Sequence, residues 1–170
     1  APDVLKTAVY GLPELHREAI RSAQLVGSAG CYPTSILLPL VPLLREGLIC
    51  AEDILVSSAS GVSGAGRKAD LSLLFGECNE SLRAYGLPKH RHLSEIEQEL
   101  SLAANKPVVI SFTPHLAPMT RGIHTTIFAK PAAGVSGESM LHALEEAYAR
   151  EPFVRVLKNL PDTKNVTGTN

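Results

Sequence analysis

Leu25-Val26-Gly27-Ser28-Ala29-Gly30-Cys31-Tyr32-Pro33-Thr34-Ser35-Ile36 sets one cysteine between a glycine and a helix start. Pro33 suits a first helical position, where no backbone N–H is missed. The apolar residues Ile36, Leu37, Leu38, Leu40, Val41, Leu43 and Leu44 then carry a helix into a core. Cys31 is expected just before that helix, where unpaired N–H groups and the positive end of the dipole favour a thiolate over a thiol. Gly30 leaves the approach to the sulfur free of a side chain. A nucleophile is built this way, although free cysteines also serve as small buried hydrophobes. Pro39 and Pro42 fall inside the same helix and predict a kink or an early end.

Working outward, Pro13 to about Ala23 reads as a helix after an extended segment ending in Val9-Tyr10-Gly11, and Gln24–Val26 as a short strand. Asp53–Ser57 reads as a strand and Ser57–Gly66 as a loop, with Arg67 to about Phe75 helical. Leu82–Tyr85 is extended. Ser94-x-x-Glu97 has the capping-box form, with Ile96, Leu100 and Ala103 on one helical face. Pro107–Phe112 and Arg121–Lys130 are β-rich. Ser136–Arg150 is an amphipathic helix and Phe153–Leu157 a last strand, before a polar tail from Pro161 to Asn170 with no closing element. This mixture, without strict βαβ alternation, predicts an α+β domain spanning residues 1–170, with a mostly antiparallel sheet and helices packed on one face.

Composition narrows the function. With 170 residues and 45% apolar content the chain supports one domain with a core. Its longest apolar run is far short of a bilayer span, and with no basic n-region or small-residue cleavage site at its start no signal peptide is expected. A net charge of −1 with interspersed signs argues against a nucleic-acid surface. Three cysteines without framework spacing fit reduced thiols and a cytoplasmic location.

Four groups stand out as candidates for chemistry. Gly61-x-x-Gly64-x-Gly66 is positioned to bring backbone N–H groups to an anion or a flat ring, though it matches neither the dinucleotide nor the Walker A pattern. His90-x-His92, if extended, points both rings to one side, which suits a zinc site with Cys31 or a general base for a thiolate. Glu95 lies one turn away and is placed to orient an imidazole. His115 and Arg121 fall in a predicted loop between two strands, where functional groups gather, and Arg121 suits a phosphate or carboxylate.

Val9-Tyr-Gly-Leu-Pro-Glu14, Gly30-Cys-Tyr-Pro-Thr34, Ser60-Gly-Val-Ser-Gly-Ala-Gly-Arg67, Tyr85-Gly86 with His90-Arg-His92 and Glu95-Ile96, and Phe112-Thr-Pro-His-Leu116 with Arg121-Gly-Ile123 together resemble the N-acetyl-gamma-glutamyl-phosphate reductase family. Ala29 stands where that family usually has proline, and Ser35 where it often has glycine or alanine. The resemblance implies the C-terminal domain fold of glyceraldehyde-3-phosphate and aspartate-semialdehyde dehydrogenases. It implies NADPH-dependent reduction of N-acetyl-glutamyl 5-phosphate through a thioester on Cys31, in arginine biosynthesis, by a homo-oligomer (dimer or tetramer).

Further roles follow only from the resemblance. His90 or His92 lowers the thiol pKa and moves the proton, and Glu95 orients that imidazole or binds substrate. Ser63 and Gly64 face the nicotinamide. Arg67, His115 and Arg121 are candidates for the substrate's anions, and no metal is implied. The family's GxGxxG-bearing Rossmann domain is missing, so the chain looks like the excised catalytic and dimerisation domain, inactive alone, with NADP bound mainly by the other domain. The alternatives are an aspartate-semialdehyde-dehydrogenase-like domain, a non-catalytic dimerisation module and a zinc protein.

Overall fold

The computed structural model describes residues 2–169. It opens with one helical turn, α1 (Pro2–Leu5), where extended chain was expected. Strand β1 (Val9–Gly11) runs into α2 (Pro13–Arg21), which has Pro13 at its first turn. Strand β2 (Val26–Ser28) pairs in parallel with β1 as a separate two-stranded sheet, and it lies slightly later than the sequence suggested.

Helix α3 (Cys31–Arg45) is the hub, and it runs unbroken through Pro39 and Pro42. The reason is tertiary. Pro42 has no N–H to donate to the Leu38 carbonyl one turn back. The Tyr148 hydroxyl donates to that carbonyl instead. Nearly every side of the helix is covered: Tyr32, Ile36, Leu37, Leu40 and Val41 are all buried.

Strand β3 (Ile54–Ser60) extends into the stretch read as loop. A 3-10 turn (Val62–Ala65) follows, and then Gly66 at φ +69, a conformation that glycine adopts without steric cost. The expected helix from Arg67 to Phe75 does not form. Asp70 accepts hydrogen bonds from the Ser72 N–H (3.0 Å) and the Ser72 hydroxyl (2.7 Å), and this local arrangement displaces helix. Only a 3-10 turn (Leu71–Leu73) and the single turn α4 (Phe75–Cys78) remain.

After β4 (Arg83–Ala84), α5 (Leu93–Ala104) begins with His92 as its N-cap. The expected capping box at Ser94 is absent, because Glu97 accepts from the Ile110 N–H at 3.2 Å and ties α5 to the sheet instead. Ile96, Leu100 and Ala103 face the core, as their spacing required.

Strands β5 (Ile110–Leu116) and β6 (Ile123–Phe128) complete a four-stranded sheet of order β4-β5-β3-β6. Its two outer pairings are antiparallel; the central one, β3 with β5, is parallel. Because β5 runs on to Leu116, His115 lies within a strand and not in the loop expected for it. Helix α6 (Gly137–Tyr148) starts with a capping box between Ser136 and Ser139. The expected strand over 153–157 does not form, and Phe153 and Leu157 lie exposed. The tail carries one turn, α7 (Thr163–Val166), capped by Asp162.

Burial alternates strictly along the central strands. Ile54, Val56, Ser58 and Ser60 of β3, with Ile110, Phe112 and Leu116 of β5, point toward α3 and α5. The opposite face of the sheet is open. There Leu55 (48% exposed) stands directly beside Phe128 (62% exposed) across the β3–β6 pairing.

Candidate active site

Cys31 is the first residue of α3, with Gly30 as the N-cap, and its side chain is exposed. It lines a cavity of about 540 Å³ together with His90, His92, Gly64, Tyr32 and Tyr85. The sulfur is therefore not sunk among aliphatic side chains, and it shares one space with both histidines.

Tyr32 organises the rings. It is 1% exposed, and its hydroxyl lies 2.7 Å from that of Tyr85. His90 packs edge-on against it with ring centres 5.3 Å apart, His92 at 6.0 Å and Phe112 at 5.2 Å. The two imidazoles meet each other edge-to-face at 4.8 Å. Gly86, at φ +65, admits the His90 ring: a Cβ there would lie 2.9 Å from its Cδ2.

The two histidines differ in their nitrogens. His90 Nδ1 accepts from the His92 backbone N–H at 3.2 Å. His92 Nδ1 is buried without a partner, while its Nε2 is turned to Gly30, the residue before Cys31. Burial is the main cause holding both imidazoles below their usual pKa. The charge of Arg91 adds to this at both rings, and Glu95 opposes it at His92. Burial thus favours the neutral form of both rings.

Glu95 lies beside this pair but bonds elsewhere. Its Oε1 accepts from the Gly30 N–H at 2.8 Å and from the Tyr10 hydroxyl at 2.6 Å.

The glycine turn behaves differently from expectation. Its N–H groups are already bonded: Gly61 to the Gly122 carbonyl (2.9 Å), Val62 to Met119 (3.0 Å) and Ser63 to Thr120 (3.0 Å). They are not available as an anion cradle. Gly61 is needed because the two loops touch; a Cβ there would lie 2.7 Å from the Thr120 carbonyl oxygen.

Ser63 lines a second cavity of about 410 Å³ with Val62, Gly66, Phe75 and Met119, and Lys68 and Leu73 border both spaces. Arg67, His115 and Arg121 line neither cavity. His115 follows the strand alternation to the face away from α3 and α5, level with Ala59 and Ala84. The cations that do line the Cys31 cavity are Lys68, Arg83 and Arg91. Lys68 pairs with Asp70 at 2.7 Å, and that cation is the main cause depressing the Asp70 pKa.

Arg83 donates to the Ser72 carbonyl, and neither Arg83 nor Arg91 has a carboxylate partner among the described residues. Sequence reasoning passed over all three cations. Arg91 was the one within reach, since it stands between the two histidines. Among the described residues no group of three or more His, Cys, Asp or Glu side chains is arranged to hold a metal ion. No helix among them is long and apolar enough to cross a membrane.

Residues 31–170 match the family model described as semialdehyde dehydrogenase, dimerisation domain. The chain is 63% identical over 169 residues to a protein from Akkermansia muciniphila named N-acetyl-gamma-glutamyl-phosphate reductase, covering 98% of this chain and 49% of that protein. A protein of the same name from Acetivibrio thermocellus is 50% identical over 171 residues, covering 99% and 49%. The chain thus spans about half the length of the curated relatives it matches. Among solved structures, aspartate semialdehyde dehydrogenase II complexed with ASA from Vibrio cholerae superposes with a TM-score of 0.69 at 14% identity, over 97% of this chain and 56% of that one. Aspartate semialdehyde dehydrogenase with NADP from Candida albicans gives 0.57 at 13% identity, over 82% and 45%. These two likenesses establish the fold.

Proposed function

The chain belongs to the semialdehyde dehydrogenase dimerisation-domain family, and from that premise we propose that residues 1–170 form the catalytic and dimerisation half of a cytoplasmic N-acetyl-gamma-glutamyl-phosphate reductase of arginine biosynthesis. The observation that carries this reading is an exposed cysteine at a helix start sharing one cavity with two histidines.

In this reading Cys31 Sγ, its proton taken by an imidazole, attacks the acyl carbon of N-acetyl-glutamyl 5-phosphate. The new C–S bond forms as the C–O bond to phosphate breaks. NADPH, when bound, supplies the hydride that lowers the oxidation level of the acyl carbon to that of the aldehyde. The imidazolium gives its proton to the oxygen left negative by hydride addition and retakes it as that oxygen becomes the aldehyde carbonyl, so the C–S bond breaks, the electron pair returns to sulfur and N-acetyl-glutamate 5-semialdehyde is released.

His92 is assigned as the proton carrier because its Nε2 faces Gly30, the residue before Cys31. His90 has Nδ1 engaged as an acceptor, so its neutral ring carries the proton on Nε2 and acts as a donor to developing negative charge on oxygen. Arg83 and Arg91, rather than Arg67, His115 or Arg121, are assigned to the substrate's anions, because they line the cavity.

The second cavity suits the nicotinamide end of NADP. Small residues of the glycine turn and the apolar surfaces of Phe75 and Met119 fit a flat ring, whereas Lys68 is its lone cation for phosphates. Ser63, and Gly64 in the neighbouring cavity, would hold that end, and the remaining contacts fall to the other half of the enzyme. The open sheet face around Leu55 and Phe128 is assigned to pairing of subunits.

The test is Cys31→Ser, assayed with the nucleotide-binding half restored. Loss of NADPH oxidation with N-acetyl-glutamyl 5-phosphate is expected; retained turnover overturns the mechanism.

A further inference from the structure

We propose that Tyr10 and Glu95 are positioning residues that fix the distance between Cys31 and His92. The proposal rests on the reading of Cys31 as the nucleophile. Cys31 and His92 come from different helices: one is the first residue of α3, the other the N-cap of α5. Nothing in either helix alone fixes one start against the other. The N-cap of α3 has no side-chain cap of its own, because Gly30 has no side chain to provide one.

Glu95, in the first turn of α5, supplies the link. Its Oε1 accepts the Gly30 N–H at 2.8 Å, across 65 residues of sequence. The other side of Gly30 is held as well, since its carbonyl accepts from the Thr34 N–H and the Thr34 hydroxyl, both at 2.9 Å. Both polar groups of the residue preceding the nucleophile are therefore tied down, one of them to the helix that carries His92.

Tyr10 holds the carboxylate in place. Its hydroxyl donates to the same Oε1 at 2.6 Å, so one oxygen joins β1, α3 and α5. Burial and the neighbouring carboxylate keep that hydroxyl protonated and therefore a donor. One turn further along α5, buried Glu99 contacts His16 Nε2 at 2.8 Å, which anchors α2 to the same helix face. Tyr10 and His16 pack edge-to-face between these two contacts, with ring centres 5.8 Å apart. A donor–acceptor relay of this kind acts through geometry; neither Tyr10 nor Glu95 contacts the reacting atoms in this account.

The experiment follows iodoacetamide modification of Cys31 in this chain at pH 7, read by peptide mass so that Cys50 and Cys78 are counted separately. Wild-type Cys31 is expected to react faster than a small free thiol. Glu95→Ala should slow it about tenfold, and Tyr10→Phe about threefold, as loss of a charge-assisted and a single hydrogen bond implies. Glu95→Gln, which keeps a carbonyl oxygen for both donors, should restore the rate to within about threefold of wild type. Tyr10→Phe removes one hydroxyl and keeps the test open if Glu95→Ala does not fold. A fast wild type with unaltered Tyr10→Phe and Glu95→Ala overturns the positioning role alone. Glu95→Gln as slow as Glu95→Ala also overturns it, since the charge would then be what matters. A wild-type rate equal to that of a free thiol removes the nucleophile reading, and this proposal with it.

Discussion

The imidazole of His92 closes directly over Gly30: a Cβ added to that glycine would lie 2.8 Å from Nε2 and 3.0 Å from Cδ2 and Cε1. Gly30 has φ −68 and ψ 157, a conformation open to any residue, so the requirement for glycine here is space alone. Gly30→Ala should therefore displace the ring, cost about 1–3 kcal/mol as other overpacked sites do, and slow Cys31 modification. Chemical denaturation and the iodoacetamide rate measure the two effects. A variant as stable and as reactive as wild type would show that the ring does not sit there.

The paired histidines give a pH dependence of definite sign. Unfolded, both imidazoles titrate near 6.5; folded, burial lowers them. Below pH 6.5 the unfolded chain binds protons that the folded chain resists, so stability falls as pH drops through that window and is fully present above it. The melting temperature should decline between about pH 7.5 and about pH 5.5. The decline should shrink in a His90→Gln/His92→Gln double variant. An equal decline in that variant would assign it to other groups.

A chain of hydroxyls joins α3 to the sheet. Ser35 Oγ lies 2.8 Å from Thr125 Oγ1, which lies 2.9 Å from Ser58 Oγ; Ser35 also donates to the Tyr32 carbonyl at 2.9 Å. Ser58 is fully buried, and Thr125 is its partner. Thr125→Val should cost about 1–3 kcal/mol by leaving Ser58 unpaired, and more than Ser35→Ala, at about 0.5–1.5 kcal/mol. Urea unfolding of both variants decides the order. The reverse order would mean that Ser58 finds another partner.

NADPH should bind this chain weakly, because the N–H groups of the glycine turn are engaged with Met119, Thr120 and Gly122 and leave no cradle for a pyrophosphate. Calorimetric titration should show no saturation at micromolar concentration. Micromolar binding would mean that this half carries more of the dinucleotide site than the second cavity suggests.

Local patterns determined much of this protein. The spacing of Ile96, Leu100 and Ala103 placed one face of α5 in the core, and Asp53–Ser57 read as a strand where β3 forms. Gly30-Cys31 before an apolar run placed the thiol at a helix start, and the motif set carried the family resemblance that the relatives bear out. These features follow from backbone sterics and side-chain period, which a sequence displays directly.

What only the tertiary structure decided is who meets whom. Tyr148 donates to the carbonyl of Leu38, 110 residues away, which Pro42 cannot bond, so the helix does not end at its prolines. Glu95 turns to Gly30 and Tyr10 rather than to an imidazole. Strand parity turns His115 to the open face of the sheet, while Lys68, Arg83 and Arg91 reach the cavity that Arg67 and Arg121 do not. The cause is common to all of these. Chain-local forces fix dihedral angles and periodicity, but which distant polar groups become partners is settled when apolar burial brings the elements together and each enclosed donor and acceptor must then be satisfied.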